Sequence, residues 1–141
     1  MKKLINISFI YAIAAMVFGV FFREFTKFNN FVGNTTLSFL HVHLFTLGML
    51  FFLIVASLNN NFSITKHKKF KFFFYSYNIG LVITNAMLLW RGILQTLLIK
   101  PTPAINASIS GIAGIGHMLL SIGIITLFII IKSQLKLKEE N

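Results

Sequence analysis

Three histidines lie inside stretches apolar enough to cross a lipid bilayer. His41 and His43 stand in the run Leu40-His41-Val42-His43-Leu44-Phe45-Thr46-Leu47-Gly48, and His117 lies deep in the last apolar block. Ionisable side chains are costly at that depth and mark a functional site when they face protein or water. Imidazole is also the commonest metal ligand and an axial ligand of haem iron. Residues two apart on an α-helix are rotated by about 200°, so His41 and His43 point to nearly opposite faces and cannot grip one small ion together. Gly48, seven residues after His41 and on its face, admits a flat ring or another helix. His43 is followed on its own face by Leu47 and Leu50.

Other polar residues accompany the histidines. Arg23, Arg91 and Gln95 fall near the level of His41. An arginine there either snorkels to the interface, with Arg23 pairing Glu24, or holds an anionic group such as a haem propionate. The last apolar block carries Ser110, Gly114, His117 and Ser121 on one helical face. Such a stripe of small residues is expected to pack closely against another helix, with His117 turned into the bundle. The third block carries Asn78, Asn85 and Gly92 at seven-residue spacing beside Tyr77, Thr84 and Arg91, a polar seam expected to face the interior.

The elements that must position these groups are four apolar blocks, roughly 4–22, 37–58, 70–90 and 105–131. Each has about the 20 residues that a helix needs to cross ~30 Å of hydrocarbon. So few spans cannot close a barrel, and an open sheet does not survive in lipid. The expected fold is all-α: one domain, 1–141, forming an up-down-up-down four-helix transmembrane bundle. The chain is 56% hydrophobic and 11% charged, too apolar for a soluble domain of 141 residues. Lys2 and Lys3 precede the first block as in a signal peptide, but Ala12, Ala14 and Ala15 lie too early for a cleavage site, so this block reads as a retained helix.

The net charge of +10 does not indicate nucleic acid, because the basic residues separate the apolar blocks instead of lining one face. They read as topology signals and as contacts for anionic headgroups. Nine lysines (2, 3, 66, 68, 69, 71, 132, 136 and 138) fall on one side and Arg23, Lys27, Arg91 and Lys100 on the other. Both termini are therefore expected in the cytoplasm of a multi-pass protein of the bacterial cytoplasmic membrane. Phe25, Phe28 and Phe31 are expected to lie along the interface in the first outer loop, Asn59-Asn60-Asn61 to form a polar turn, and Asn106 and Ser108 to cap the fourth helix. The absence of cysteine excludes disulfides, iron–sulfur clusters and thiolate-ligated haem.

The run from His41 to Gly48, continuing into Phe51-Phe52-Leu53, resembles a helix of the catalytic subunit of haem-copper oxidases and nitric-oxide reductases. There a His-x-His pair followed by glycine places one histidine on each of two haems. Short four-span bacterial proteins described as oxidase-like carry a similar helix. The whole chain resembles a family of small bacterial membrane proteins without an assigned function. That likeness rests on Phe22-Arg23-Glu24-Phe25-Thr26-Lys27-Phe28, the histidine pair, Tyr77-Asn78-Ile79-Gly80, Trp90-Arg91-Gly92-Ile93-Leu94-Gln95, and the run from Ile109 through Gly114 to His117. The oxidase resemblance implies haem binding at His41 and His43. It does not imply oxygen reduction, because the oxidases have many more spans and further metal ligands.

The leading expectation is therefore a protein binding haem b between intramembrane histidines, for electron transfer or sensing. Its cofactor-binding residues are His41, His43, His117, Arg23 and Arg91, with His43 and His117 the favoured iron ligands and no catalytic residue assigned. If the second helix begins near Thr36 and the fourth near Asn106, these two histidines lie ~10 Å and ~16 Å from the outer ends, a mismatch that helix tilt absorbs. The alternative is a non-enzymatic assembly or interaction protein whose polar residues serve helix packing with a membrane-protein partner or a second copy. A proton pathway through His43, His117, Asn85 and Glu24 ranks lower, and a zinc hydrolase lower still, for want of a carboxylate base. Reporter fusions at Lys68 are expected to report the cytoplasm, and fusions within 24–35 the opposite side. A fusion placing Lys68 outside overturns this topology.

Overall fold

A computed structural model describes residues 1–139 of the chain; Glu140, Asn141 and the side chain of Glu139 lie outside the described part. Four long helices account for most of it: α1 (Lys2–Phe28), α2 (Leu37–Phe62), α3 (Phe70–Thr96) and α4 (Pro103–Glu139). Each is long and apolar enough to cross a membrane, which fits a multi-pass membrane protein. No strand occurs among the described residues.

Helix ends extend past the apolar blocks, and three local expectations are corrected. Phe25 and Phe28 belong to α1, and the Phe25 ring stacks on Phe21 at 5.1 Å. The helix ends at Phe28, and Asn30 beyond it takes a left-handed φ of 49°. Asn59, Asn60 and Asn61 continue α2; the break falls at Ser63, with φ 45° and ψ 38°. There Asn59 Oδ1 accepts the Thr65 N–H at 2.8 Å and holds the turn that follows. The start of α4 lies before Asn106 and Ser108. Pro103 occupies its first turn, where a missing N–H costs nothing, and Thr102 Oγ1 accepts the Ile105 N–H at 3.3 Å.

The helices pack in chain order: α1 on α2, α2 on α3, and α3 on α4, with α1 and α4 sharing no comparable interface. The α3–α4 contact is the most extensive, and glycines explain why. A Cβ at Gly80 would fall 2.7 Å from the Gly116 carbonyl and the Leu120 amide nitrogen, and one at Gly116 would fall 2.6 Å from Thr84 Oγ1. Only hydrogen at these positions lets the two backbones approach so closely. The buried face of α4 runs through Ile109, Gly116, Leu120, Gly123, Leu127 and Ile130. The stripe Ser110-Gly114-His117-Ser121 is thus not the packing face; all four residues are exposed, and open space surrounds the Cβ position of Gly114. Two small-residue faces coexist on α4, and the one with the backbone-close glycines wins α3.

Helix α2 is not regular. It widens to π geometry over Leu44–Leu50, directly after His43. Two carbonyls of this segment take hydroxyl donors from its neighbours: Ser8 Oγ of α1 donates to Met49 O at 2.8 Å and Tyr77 Oη of α3 to Leu47 O at 2.9 Å. Gly48 opens the segment to α1, since a Cβ there would lie 2.6 Å from Tyr11 Cγ. Tyr11 Oη reaches past α2 to donate to Asn78 Oδ1 of α3 at 2.7 Å. Below this level an aromatic cluster fills the core, with Phe51 stacked on Tyr77 at 4.1 Å and Phe52 edge-on to the same ring at 5.5 Å.

The glycine seam yields a paired test. Gly80→Ala forces two backbones apart and is expected to destabilise by about 1–3 kcal/mol, the usual cost of overpacking. Gly114→Ala meets nothing and is expected to leave stability unchanged or slightly raised. Unfolding in mixed micelles measures both, and equal effects would refute the assigned α3–α4 face.

Candidate functional site

The five residues singled out from the sequence divide into two groups. Arg23 and His41 belong to the α1–α2 contact. His41 rests over Gly19, where a Cβ would sit 3.8 Å from its own Cβ, and its ring stacks on Phe22 at 6.3 Å. Its Nδ1 is buried without a hydrogen-bond partner. Gly48, on the same side of α2, receives Tyr11 and not a flat cofactor. Arg23 pairs with Glu24 at 3.6 Å, with its side chain largely exposed. This is the interfacial ion pair of the simpler expectation, and such exposed pairs contribute little.

Arg91 and His117 line a second region, a crevice of about 70 Å³ with α3 as its floor and α2 and α4 as its walls. Thr36 lines it from α2, Thr84 and Leu88 from α3, and Ala113 and His117 from α4. The polar seam of α3 positions its walls. Thr36 Oγ1 donates to Leu88 O at 2.8 Å, Thr35 Oγ1 donates to Gly92 O at 3.0 Å, and Gln95 Oε1 accepts the Thr36 N–H at 2.8 Å. The start of α2 is therefore capped by the end of α3, through long-range contacts that the local sequence does not announce.

His43 lies seven residues after Thr36 in a regular helical stretch, so the two leave α2 on nearly the same flank, about 20° apart. Its depth falls between the Thr36–Leu88 and Leu47–Tyr77 bonds. Gly116, next to His117, meets Thr84 at that same depth. His43 and His117 thus stand at similar levels on α2 and α4; His117 lines the crevice and His43 does not, and no hydrogen bond joins their rings among the described residues. The expectation that His117 turns into the bundle is corrected: it is exposed on the outer side of α4. Because α4 turns its glycine face to α3, position 117 is rotated about 100° from Gly116 toward the open wall.

Both rings are held in the same way. His43 Nδ1 lies 2.9 Å from Phe39 O and His117 Nδ1 lies 2.8 Å from Ala113 O. A carbonyl only accepts, so Nδ1 carries the proton in each, and a neutral ring then presents an unprotonated Nε2 away from its helix. Arg91 continues the site outward: Nη2 donates to Ser110 Oγ at 2.8 Å and to Asn106 Oδ1 at 3.2 Å. It also lines an outer concavity of about 370 Å³ together with Gln95, Asn106 and Ile109. No carboxylate pairs with it among the described residues.

Asn85 was part of the expected interior seam and is buried, donating to Leu81 O at 2.8 Å while its Oδ1 has no partner. Tyr11 and Ser8 were not singled out from the sequence. A tyrosine and a serine three apart among apolar residues of α1 were the available signal. No group of three or more His, Asp or Glu able to hold a metal ion occurs among the described residues.

No curated protein and no solved structure matches the chain. A family model does, over residues 1–134, and with nearly the whole chain covered the protein belongs to the family described as "Protein of unknown function (DUF2871)".

Proposed function

We propose that this membrane protein binds haem b through His43 and His117, in the bacterial cytoplasmic membrane with both termini inside. The observation that carries the reading is how the two rings are held: Nδ1 of each lies within hydrogen-bond distance of a carbonyl of its own helix, which leaves each Nε2 lone pair for a ligand. This is the second-shell arrangement that orients an imidazole toward iron and raises its basicity. The donor set fits a haem iron, which supplies one-electron chemistry or a gas-sensing site when bound. The crevice of about 70 Å³ does not itself hold a macrocycle, and His117 reaches its exposed side. Arg91 has no carboxylate partner among the described residues and faces the 370 Å³ outer concavity, which suits it to hold the carboxylate of a propionate. Arg23, engaged by Glu24, and His41, set between α1 and α2, take supporting places.

A second reading has its own observation. The outward stripe Ser110-Gly114-His117-Ser121 is exposed, with open space at the Cβ position of Gly114, which favours an interaction protein that docks a helix of a membrane partner or of a second copy. The two readings part on colour. Protein purified from haem-replete cells is expected to show six-coordinate, low-spin spectra in both oxidation states. His43→Ala or His117→Ala is expected to leave five-coordinate haem or none, while His41→Ala changes the spectrum little and Arg91→Gln weakens retention. Colourless protein that takes up no haem in detergent ends the haem reading, and a partner retained on mild solubilisation then supports the second.

A further inference from the structure

The lysine-rich end of the bundle holds a cavity of about 480 Å³ lined by Lys3 of α1, Lys66, His67 and Lys68 of the turn, and Phe70 and Lys71 of α3. No acidic residue lines it among the described residues. Both α1 and α3 begin at this end, and no side chain caps the start of α3, so its first-turn N–H groups and positive dipole end add to the field. His67 is oriented in a specific way. The Lys69 N–H donates to its Nδ1 at 3.1 Å, so the neutral ring carries its proton on Nε2 and offers a donor. Lysines supply charge without direction; His67 supplies direction.

Lys71 has a second neighbourhood. It also lines an apolar groove of about 550 Å³ between α3 and α4, formed by Phe72, Tyr75, Ile79, Leu119 and Ile122. A basic cavity at the end of the spans and an apolar groove along them therefore meet at one lysine. We infer that this is a site for one anionic phospholipid, with its phosphate in the Lys3–Lys66–His67–Lys68–Lys71 cavity and an acyl chain in the α3–α4 groove. A water's share of liquid volume is about 30 Å³, so the cavity of about 480 Å³ has room for a phosphate ester with its first waters. Basic pockets between transmembrane helices recognise phosphorylated headgroups by the same chemistry. The inference does not depend on haem.

Native mass spectrometry of the full chain, released from nanodiscs of mixed phosphatidylglycerol and phosphatidylcholine, tests the site. One phosphatidylglycerol is expected to be retained in preference to phosphatidylcholine. Lys66→Gln with Lys71→Gln is expected to weaken retention roughly tenfold or more, whereas Lys27→Gln with Lys100→Gln removes equal charge at the other end without effect. Equal loss in both pairs would mean general surface charge and overturn the site. His67→Asn and His67→Asp can both accept the Lys69 N–H, so both preserve the turn. Asn is expected to keep retention and Asp to lose it, and two equal results contradict the role of His67. Millimolar inorganic phosphate is expected not to displace the lipid. Full displacement would overturn the lipid assignment and leave a soluble phosphate as the ligand.

Discussion

A carbonyl at membrane depth has no water to turn to, and the widened stretch of α2 exposes that constraint. Unsatisfied polar groups in hydrocarbon cost roughly several kcal/mol, so donors from neighbouring helices favour an irregular segment. Ser8 and Tyr77 do so, from opposite sides, at Met49 and Leu47. Tyr11, admitted by Gly48, then ties α1 to Asn78 on α3. Helix α2 becomes the middle of the assembly because its backbone needs donors from both neighbours. Each such interhelical bond is worth about 1 kcal/mol, but together they also fix rotation and depth. The depth of His43 relative to α3 follows from them.

The two hairpins solve different problems. The α3–α4 pair approaches through glycine, which leaves little room between the backbones and rotates α4 so that its second small-residue face looks outward. The α1–α2 pair is spaced by rings, with Tyr11 beside Phe52 and Phe22 beside His41. A crevice between α2 and α4 results, floored by α3, because those two walls meet α3 without closing on each other along their whole length. His117 lies on its α4 wall, and the arginine with no carboxylate partner among the described residues lies at its outer end. Histidine bonded through Nδ1 to its own helix recurs on α2 and α4, a local interaction with a site-level consequence.

Much of this was legible in residue order. Long apolar blocks in a chain with 11% charged residues leave helices as the sole spanning structure. The histidines, Arg91 and the seam through Asn78, Asn85 and Gly92 stand out because polar groups are conspicuous at that depth. Opposite directions for His41 and His43 followed from helical rotation alone, and His41 meets Gly19 and Phe22 of α1. The helix ends were less legible, because Phe25 and the asparagines 59–61 are compatible with helix or loop. Their state depends on contacts such as Asn59 with Thr65.

What the sequence determined by itself was composition-driven: four helices, their order, and which polar residues lie within them. Rotation about each helix axis was decided only in the tertiary structure. Ser110-Gly114 read as the packing stripe of α4, while Gly116 and Gly123, also one face of the helix, drew no such reading, and periodicity does not rank the two. Backbone proximity at Gly80 and Gly116 selects one of them, and that choice turns His117 from the expected interior to the outer wall. The π turn after His43 was equally invisible, since it depends on hydroxyl donors 41 and 30 residues away in the chain. Hydrophobic patterning is a property of one helix, whereas rotation and depth are properties of pairs, and only the packed set of four fixes them.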